Sequence, residues 1–169
     1  MNQVLLHPPF RAEHIGSFLR PMALLAARAD HVAGRLTDAE LRAAEDNAIS
    51  TFVALQEKLG FQVVTDGEFR RSTYTSNFTT EGLAGVTAEH KTGDAWSYTN
   101  AAGHKEPARS PAVHARIRWN NSRNAKDFAA LAHTTRALPK ITLPGPCYIH
   151  FRAGRGGISR DAYPDLADF

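Results

Sequence analysis

The run Gly60-Phe61-Gln62-Val63-Val64-Thr65-Asp66-Gly67-Glu68-Phe69-Arg70-Arg71 decides the fold. Gly60 stops a helical pattern, Phe61–Thr65 is a short β-rich run, and Asp66-Gly67 turns the chain at its end. This is an α-to-β unit. Upstream, Thr37 and Glu40 form the T-x-x-E capping box that opens the helix. Leu41, Ala44, Ala48, Phe52, Leu55 and Leu59 recur at three- and four-residue spacing and predict that this face packs inward. Earlier still, residues 12–18 predict a short strand running into a turn. Pro21 opens a helix to about Val32, in whose first turn its missing N–H costs nothing, and Gly34 ends it.

Downstream, residues 72–112 are rich in Thr, Ser, Gly and Asn, with weak alternation over Ala95-Trp96-Ser97-Tyr98-Thr99 and no helical period, and read as an inserted loop or hairpin at about 72–112. A strand over Val113–Trp119 follows, then a helix capped by Asn124 to about Ala137, then a strand over Lys140–Leu143 stopped by Pro144-Gly145-Pro146. Residues 163–169 read as the opening of another helix. Helices alternating with short apolar strands predict an α/β fold with a parallel sheet of four strands, because each crossover must bury its helix on the sheet face.

The length of 169 residues fits one domain or half of an α/β barrel, which needs about 250 residues. A net charge of +3 with scattered basic residues is too small for a nucleic-acid surface. No stretch approaches 18 apolar residues, which excludes a membrane helix, and the N-terminus lacks the pattern of a secretory signal. One cysteine excludes an intrachain disulfide framework and fits a reducing compartment, so the expected location is cytoplasmic. Cys147 reads as a small buried hydrophobe.

In parallel α/β folds, chemistry gathers where strands end. Three such ends carry unusual residues: His14-Ile15-Gly16-Ser17, then Thr65-Asp66-Gly67-Glu68, then Leu143-Pro144-Gly145-Pro146 with His150 and Arg152 close behind. Parallel strands would bring all three to one edge. Backbone N–H groups around Gly16 and Ser17 could hold a carboxylate, and Glu68 could receive an ammonium group. Together they suit a zwitterionic amino acid. The plainer alternative is that Gly16 only makes a turn and Glu68 only pairs with Arg70 or Arg71. No histidine stands at a metal-ligand spacing, so no metal ligands are assigned, His14 and His150 included. Arg152-Ala153-Gly154-Arg155-Gly156-Gly157 lacks the Lys-Ser/Thr of a phosphate-binding loop and reads as a flexible loop with two basic side chains.

The ordered motifs Phe10-Arg11-Ala12-Glu13-His14-Ile15-Gly16-Ser17-Phe18-Leu19-Arg20-Pro21, Glu45-Asp46 with Gln56, Val64-Thr65-Asp66-Gly67-Glu68-Phe69-Arg70-Arg71, Pro144-Gly145-Pro146 and His150-Phe151-Arg152 resemble the cobalamin-independent methionine synthase family. The likeness is to the N-terminal half of its single-barrel bacterial homologues. It implies a TIM (β/α)8 barrel, with residues 1–169 supplying about the first four βα units. It also implies a methyltransferase that acts on small-molecule substrates, moving a methyl group from a folate-type donor to the thiol of homocysteine and giving methionine through a zinc-bound thiolate in the complete enzyme. A coordinated thiol loses its proton at neutral pH, which suits that chemistry. By resemblance Ile15, Gly16, Ser17 and Glu68 hold homocysteine. His14, Asp66 and His150 are additional candidates, and Arg116 and Arg118 are the nearest counterparts of the family's folate-contacting basic pair. The family's zinc ligands, a histidine, two cysteines and usually a glutamate, have no counterpart in this sequence, so the isolated chain is expected to be inactive. The alternatives are a non-catalytic half-barrel that keeps an amino-acid pocket, a transferase for another thiol or donor, or a half that pairs with another copy or a separate C-terminal half.

Overall fold

The computed structural model describes residues 14–73, 75–79, 81–91, 97–99, 103–107, 109–120 and 123–169. In chain order the elements are α1 (Met22–Val32), α2 (Asp38–Lys58), β1 (Val63–Thr65), α3 (Ser76–Thr79), β2 (Leu83–Lys91), β3 (Ser97–Thr99), β4 (Lys105–Pro107), β5 (Arg109–Trp119), α4 (Arg123–Thr134), β6 (Leu138–Lys140) and α5 (Tyr148–Ala153). The chain divides into two compact units. One is the chain up to Arg70 with Phe128–Thr142; the other is Arg71–Asp127 with Leu143–Phe169.

In the first unit both long helices end where glycine permits positive φ. Gly34 (φ +72°) and Gly60 (φ +84°) each follow a Schellman closure, in which Arg35 N–H reaches the Asp30 carbonyl at 2.8 Å and Phe61 N–H reaches the Gln56 carbonyl at 3.1 Å. Pro21 stands one position before α1, where it needs no N–H. The predicted capping box at α2 is present with both hydrogen bonds. The predicted inward face of α2 is buried only in part: Ala48 and Phe52 pack against the core, but the fully enclosed residues are Glu45, Ile49, Val53 and Gln56, while Leu55 and Leu59 are 50% and 66% exposed. The helix is turned toward the strand by polar side chains whose partners lie inside, a signal that apolar periodicity cannot carry.

β1 pairs in parallel with β6, Val63 opposite Leu138 and Thr65 opposite Lys140. This two-stranded sheet packs with Leu24, Ile49, Val53, Phe69 and Leu131 into one apolar core. Two of the four strands expected of the parallel sheet are absent from it. Residues 14–18 form no strand and bend at Gly16, and residues 12–13 lie outside the described residues. The strand at Val113–Trp119 exists within β5, but pairs antiparallel with β2, so it belongs to the other unit's sheet. The strand expected over Lys140–Leu143 ends at Lys140, and Asn124 lies within α4 rather than capping it.

In the second unit β2 and β5 form a long antiparallel pair with two register shifts, and β3 pairs antiparallel with β4. The segment expected to be an insertion therefore holds ordered hairpin strands; Ala95 and Trp96 lie outside the described residues. Val86, Val113, Ile149, Ile158 and Tyr163 form its core. The presumed flexible loop after Arg152 is instead the end of α5 and a 3-10 turn over Arg155–Gly157. Leu166–Asp168 forms a single 3-10 turn capped by the Asp165 side chain, in place of the opening α-helix expected there. Cys147 is exposed, which corrects its reading as a buried hydrophobe. No helix among the described residues is long and apolar enough to cross a membrane.

Candidate functional site

Two turns of the first unit are laced together beyond the carboxyl end of β1. Thr65 Oγ1 donates to the Gly16 carbonyl at 3.0 Å, Phe18 N–H to the Gly67 carbonyl at 3.1 Å, and Arg20 Nη2 to the Glu68 carbonyl at 3.0 Å. Lys140, opposite Thr65 in the sheet, donates to the His14 carbonyl. The segment before α1 is thus held against the β1 turn by side chains that the sheet itself delivers.

Gln56 anchors the arrangement. Its amide nitrogen donates to the Thr65 carbonyl at 2.9 Å and to the Phe52 carbonyl at 3.3 Å, while its oxygen accepts from Thr65 N–H at 3.0 Å. A flipped amide would set donor against donor and acceptor against acceptor, so the orientation is fixed. The same oxygen contacts His14 Nε2 at 2.6 Å, and because it can only accept, Nε2 carries the proton. His14 stacks on Phe61 at 4.9 Å and meets Phe18 edge-on at 5.3 Å. Its Nδ1 is buried with no hydrogen-bond partner among the described residues.

Glu68 is the one non-glycine residue with positive φ among the described residues, at +59°, and follows Gly67 at +67°. Two successive positive φ values are those of a type I′ turn, and Phe69 N–H closes it on the Asp66 carbonyl at 3.3 Å. Holding a glutamate there costs on the order of 1 kcal/mol or more. The turn resists relaxing because Glu68 N–H donates to Asp66 Oδ1 at 2.9 Å and Gly67 N–H to Thr65 Oγ1 at 3.2 Å. The side chain is 4% exposed, and its Oε1 accepts from Thr142 Oγ1 at 2.6 Å. Gly16 is buried against the same pair: a methyl group added to it would lie 2.6 Å from Thr142 Cγ2 and 3.4 Å from Glu68 Oε1.

Arginines of the same unit pair with carboxylates of α2. Arg28 donates to Glu45 at 3.3 Å and to the Phe69 carbonyl, and Arg70 pairs with Asp46. Burial, then the Arg28 guanidinium, lower the pKa of Arg20 from its ordinary value, while Glu68 and Asp66 oppose the shift. An arginine so placed remains a cation.

Of the residues expected at the site, His14, Gly16, Asp66 and Glu68 come together here. Ile15 and Ser17 are exposed beside them. The N–H groups of Gly16 and Ser17 make no hydrogen bond within the described residues, unlike that of Phe18. Arg116, Arg118 and His150 belong to the second unit. There the Arg116 guanidinium lies 5.1 Å above the Tyr163 ring, and the His150 ring lies 6.5 Å from Phe169. Sequence reasoning missed Arg20, Lys140 and Thr142 as site residues. Thr142 had no local signal: it reaches Glu68 because β6 pairs in parallel with β1, and that register is not written in either segment alone. Among the described residues no three His, Cys, Asp or Glu side chains gather as metal ligands, so the zinc implied by the resemblance does not fit here.

The sequence pattern of the cobalamin-independent synthase catalytic domain matches residues 10–156. The uncharacterized protein YxjH of Bacillus subtilis is 36% identical over 144 residues, covering 85% of this chain and 37% of that protein. A 5-methyltetrahydropteroyltriglutamate–homocysteine methyltransferase of Trichodesmium erythraeum is 31% identical over 160 residues, covering 94% of this chain and 20% of that one. A Listeria monocytogenes crystal structure assigned as a vitamin-B12 independent methionine synthase superposes with a TM-score of 0.65 at 29% identity, over 85% of this chain and 39% of that one. The chain thus spans about two fifths or less of the length of these relatives, and with residues 10–156 matched it belongs to the cobalamin-independent methionine synthase family.

Proposed function

We propose that residues 1–169 are the N-terminal half of a methionine-synthase-like TIM (β/α)8 barrel whose first unit holds the amino-acid end of homocysteine. The observation that carries this is the buried Glu68 carboxylate beside Gly16. The neighbouring N–H groups of Gly16 and Ser17 have no protein acceptor among the described residues. Two N–H donors suit an α-carboxylate, and an ionised carboxylate suits an α-ammonium group. Asp66 fixes the turn, and Gln56 and His14 fix the segment that presents Gly16.

In the complete protein the reaction is methyl transfer from a folate-type donor to the homocysteine thiol, giving methionine. The sulfur–carbon bond forms as the donor's nitrogen–methyl bond breaks, the thiol proton departs, and the donor nitrogen is left to take a proton. This chain's share is binding and orientation, since a sulfur anchored by its own amino-acid end is presented in one direction. Zinc ligands are not supplied by its described residues. For the isolated chain, in a cytoplasmic setting, the reading is binding without transfer.

Titration calorimetry with L-homocysteine tests it. Losing a charge-assisted hydrogen bond costs about 1.5–3 kcal/mol, so Glu68→Gln is expected to weaken binding roughly 10- to 100-fold. Equal affinities in the wild type and Glu68→Gln would remove Glu68 from the site.

A further inference from the structure

We propose that Thr142 is a positioning residue that sets the preference of the Glu68 pocket for ligands bearing an α-ammonium group; this rests on the amino-acid reading above. Three observations converge on it. Thr142 Oγ1 donates to Glu68 Oε1 at 2.6 Å across 74 residues of sequence. The Glu68 backbone is held on both sides, by Asp66 Oδ1 on its N–H and Arg20 on its carbonyl, and Thr142 adds a hold on the side-chain carboxylate. Gly16 has no side chain where Thr142 Cγ2 sits, and a Cβ there would meet that methyl at 2.6 Å, closer than real Cβ contacts allow.

The sheet accounts for how Thr142 arrives. Thr65 pairs in register with Lys140, so the residues just after each strand pass beyond the same end of the parallel pair. Glu68 comes from one strand's extension and Thr142 from the other's. A hydroxyl donor at that spot takes up one acceptor position of the carboxylate and leaves the carboxylate plane with one orientation relative to Gly16. An ammonium group needs that orientation. A ligand without one gains nothing from it, which separates a positioning role from a merely structural one.

The test compares L-homocysteine with its des-amino analogue, 4-sulfanylbutanoate, by calorimetry on the wild-type chain, Thr142→Val and Thr142→Ser, with thermal melts of each. The wild type should prefer homocysteine. Thr142→Val should lose that preference by about tenfold while its affinity for the analogue stays within about twofold, and Thr142→Ser should restore it. Should Thr142→Val fail to fold, Thr142→Ala supplies the second route, since it also removes the donor and should lose the same preference. Retained preference in the folded variant that lacks the hydroxyl, equal weakening toward both ligands, or no recovery in Thr142→Ser would overturn the role of Thr142 while leaving the pocket standing. A wild type that binds neither ligand would overturn both readings together.

Discussion

The two units bury polar groups for different ends. In the second, buried hydroxyls serve the backbone: Thr79 Oγ1 donates to the Thr75 carbonyl, Ser110 Oγ to the Arg152 carbonyl, and Tyr163 OH accepts from Ile117 N–H at 2.8 Å. That unit also buries Arg71 and Asp127, each 1% exposed, in backbone of ordinary φ. In the first, Glu45, Gln56, Asp66 and Glu68 are all buried, and their partners are turns and arginines clustered beyond one end of a short parallel sheet. A buried carboxylate is a poor way to gain stability, because desolvation offsets most of its attraction. The proposed amino-acid site gives a reason for one in strained backbone at Glu68, and the second unit has no non-glycine residue with positive φ among the described residues.

The sharpest way to break this contrast is Gln56→Leu. It leaves the buried Thr65 N–H and carbonyl and the His14 Nε2–H without partners, at about 1–3 kcal/mol for each group. A loss on the order of 3 kcal/mol is expected in urea unfolding, read by amide exchange in the first unit; a change under about 1 kcal/mol would show that the lacing is incidental. In the second unit Tyr163→Phe removes a single acceptor and should cost about 1 kcal/mol. Glu68→Gly separates binding from stability. Relief of the positive φ offsets the lost Thr142 bond, so stability should move by less than about 1 kcal/mol while homocysteine binding disappears. A large destabilisation would make Glu68 a structural residue.

The smallest effects lie at the surface of the first unit. Thr37 N–H, and then its hydroxyl, hold the Glu40 carboxyl below the ordinary glutamate value, and the Thr135 hydroxyl, and then Arg136 N–H, do the same for Glu57. With folded values depressed, these bonds contribute fully above the unfolded value of about 4.5 and are lost as pH falls through the folded values. Carboxyl NMR titration should place both midpoints below that of an unfolded glutamate. Thr37→Ala should raise the Glu40 midpoint and leave that of Glu57 unchanged.

Much of the first unit was legible because its signals are local. The Thr37–Glu40 box, Gly34 and Gly60 at the helix ends and the Asp66-Gly67 turn each act within a few residues. The buried face of α2 was not, since Glu45 and Gln56 face inward only because Arg28, Thr65 and His14 await them. Strand partners were likewise misread. Apolar alternation in Val113–Trp119 announces a strand but does not say that β2 will claim it from the opposite direction. At the candidate site, residue type alone proposes Gly16 and Glu68, which the structure brings close together, whereas Thr142 depends on a pairing register that no single segment encodes.

The central claim is that the first unit contains an amino-acid pocket made by Gly16, Ser17 and Glu68. Titrating L-homocysteine into the 15N-labelled chain tests it most directly. The account predicts that amide shifts concentrate at Gly16, Ser17, Glu68 and Thr142, with second-unit amides such as Val113 and Ile158 unmoved. Shifts confined to the second unit, or none at saturating ligand, would contradict it.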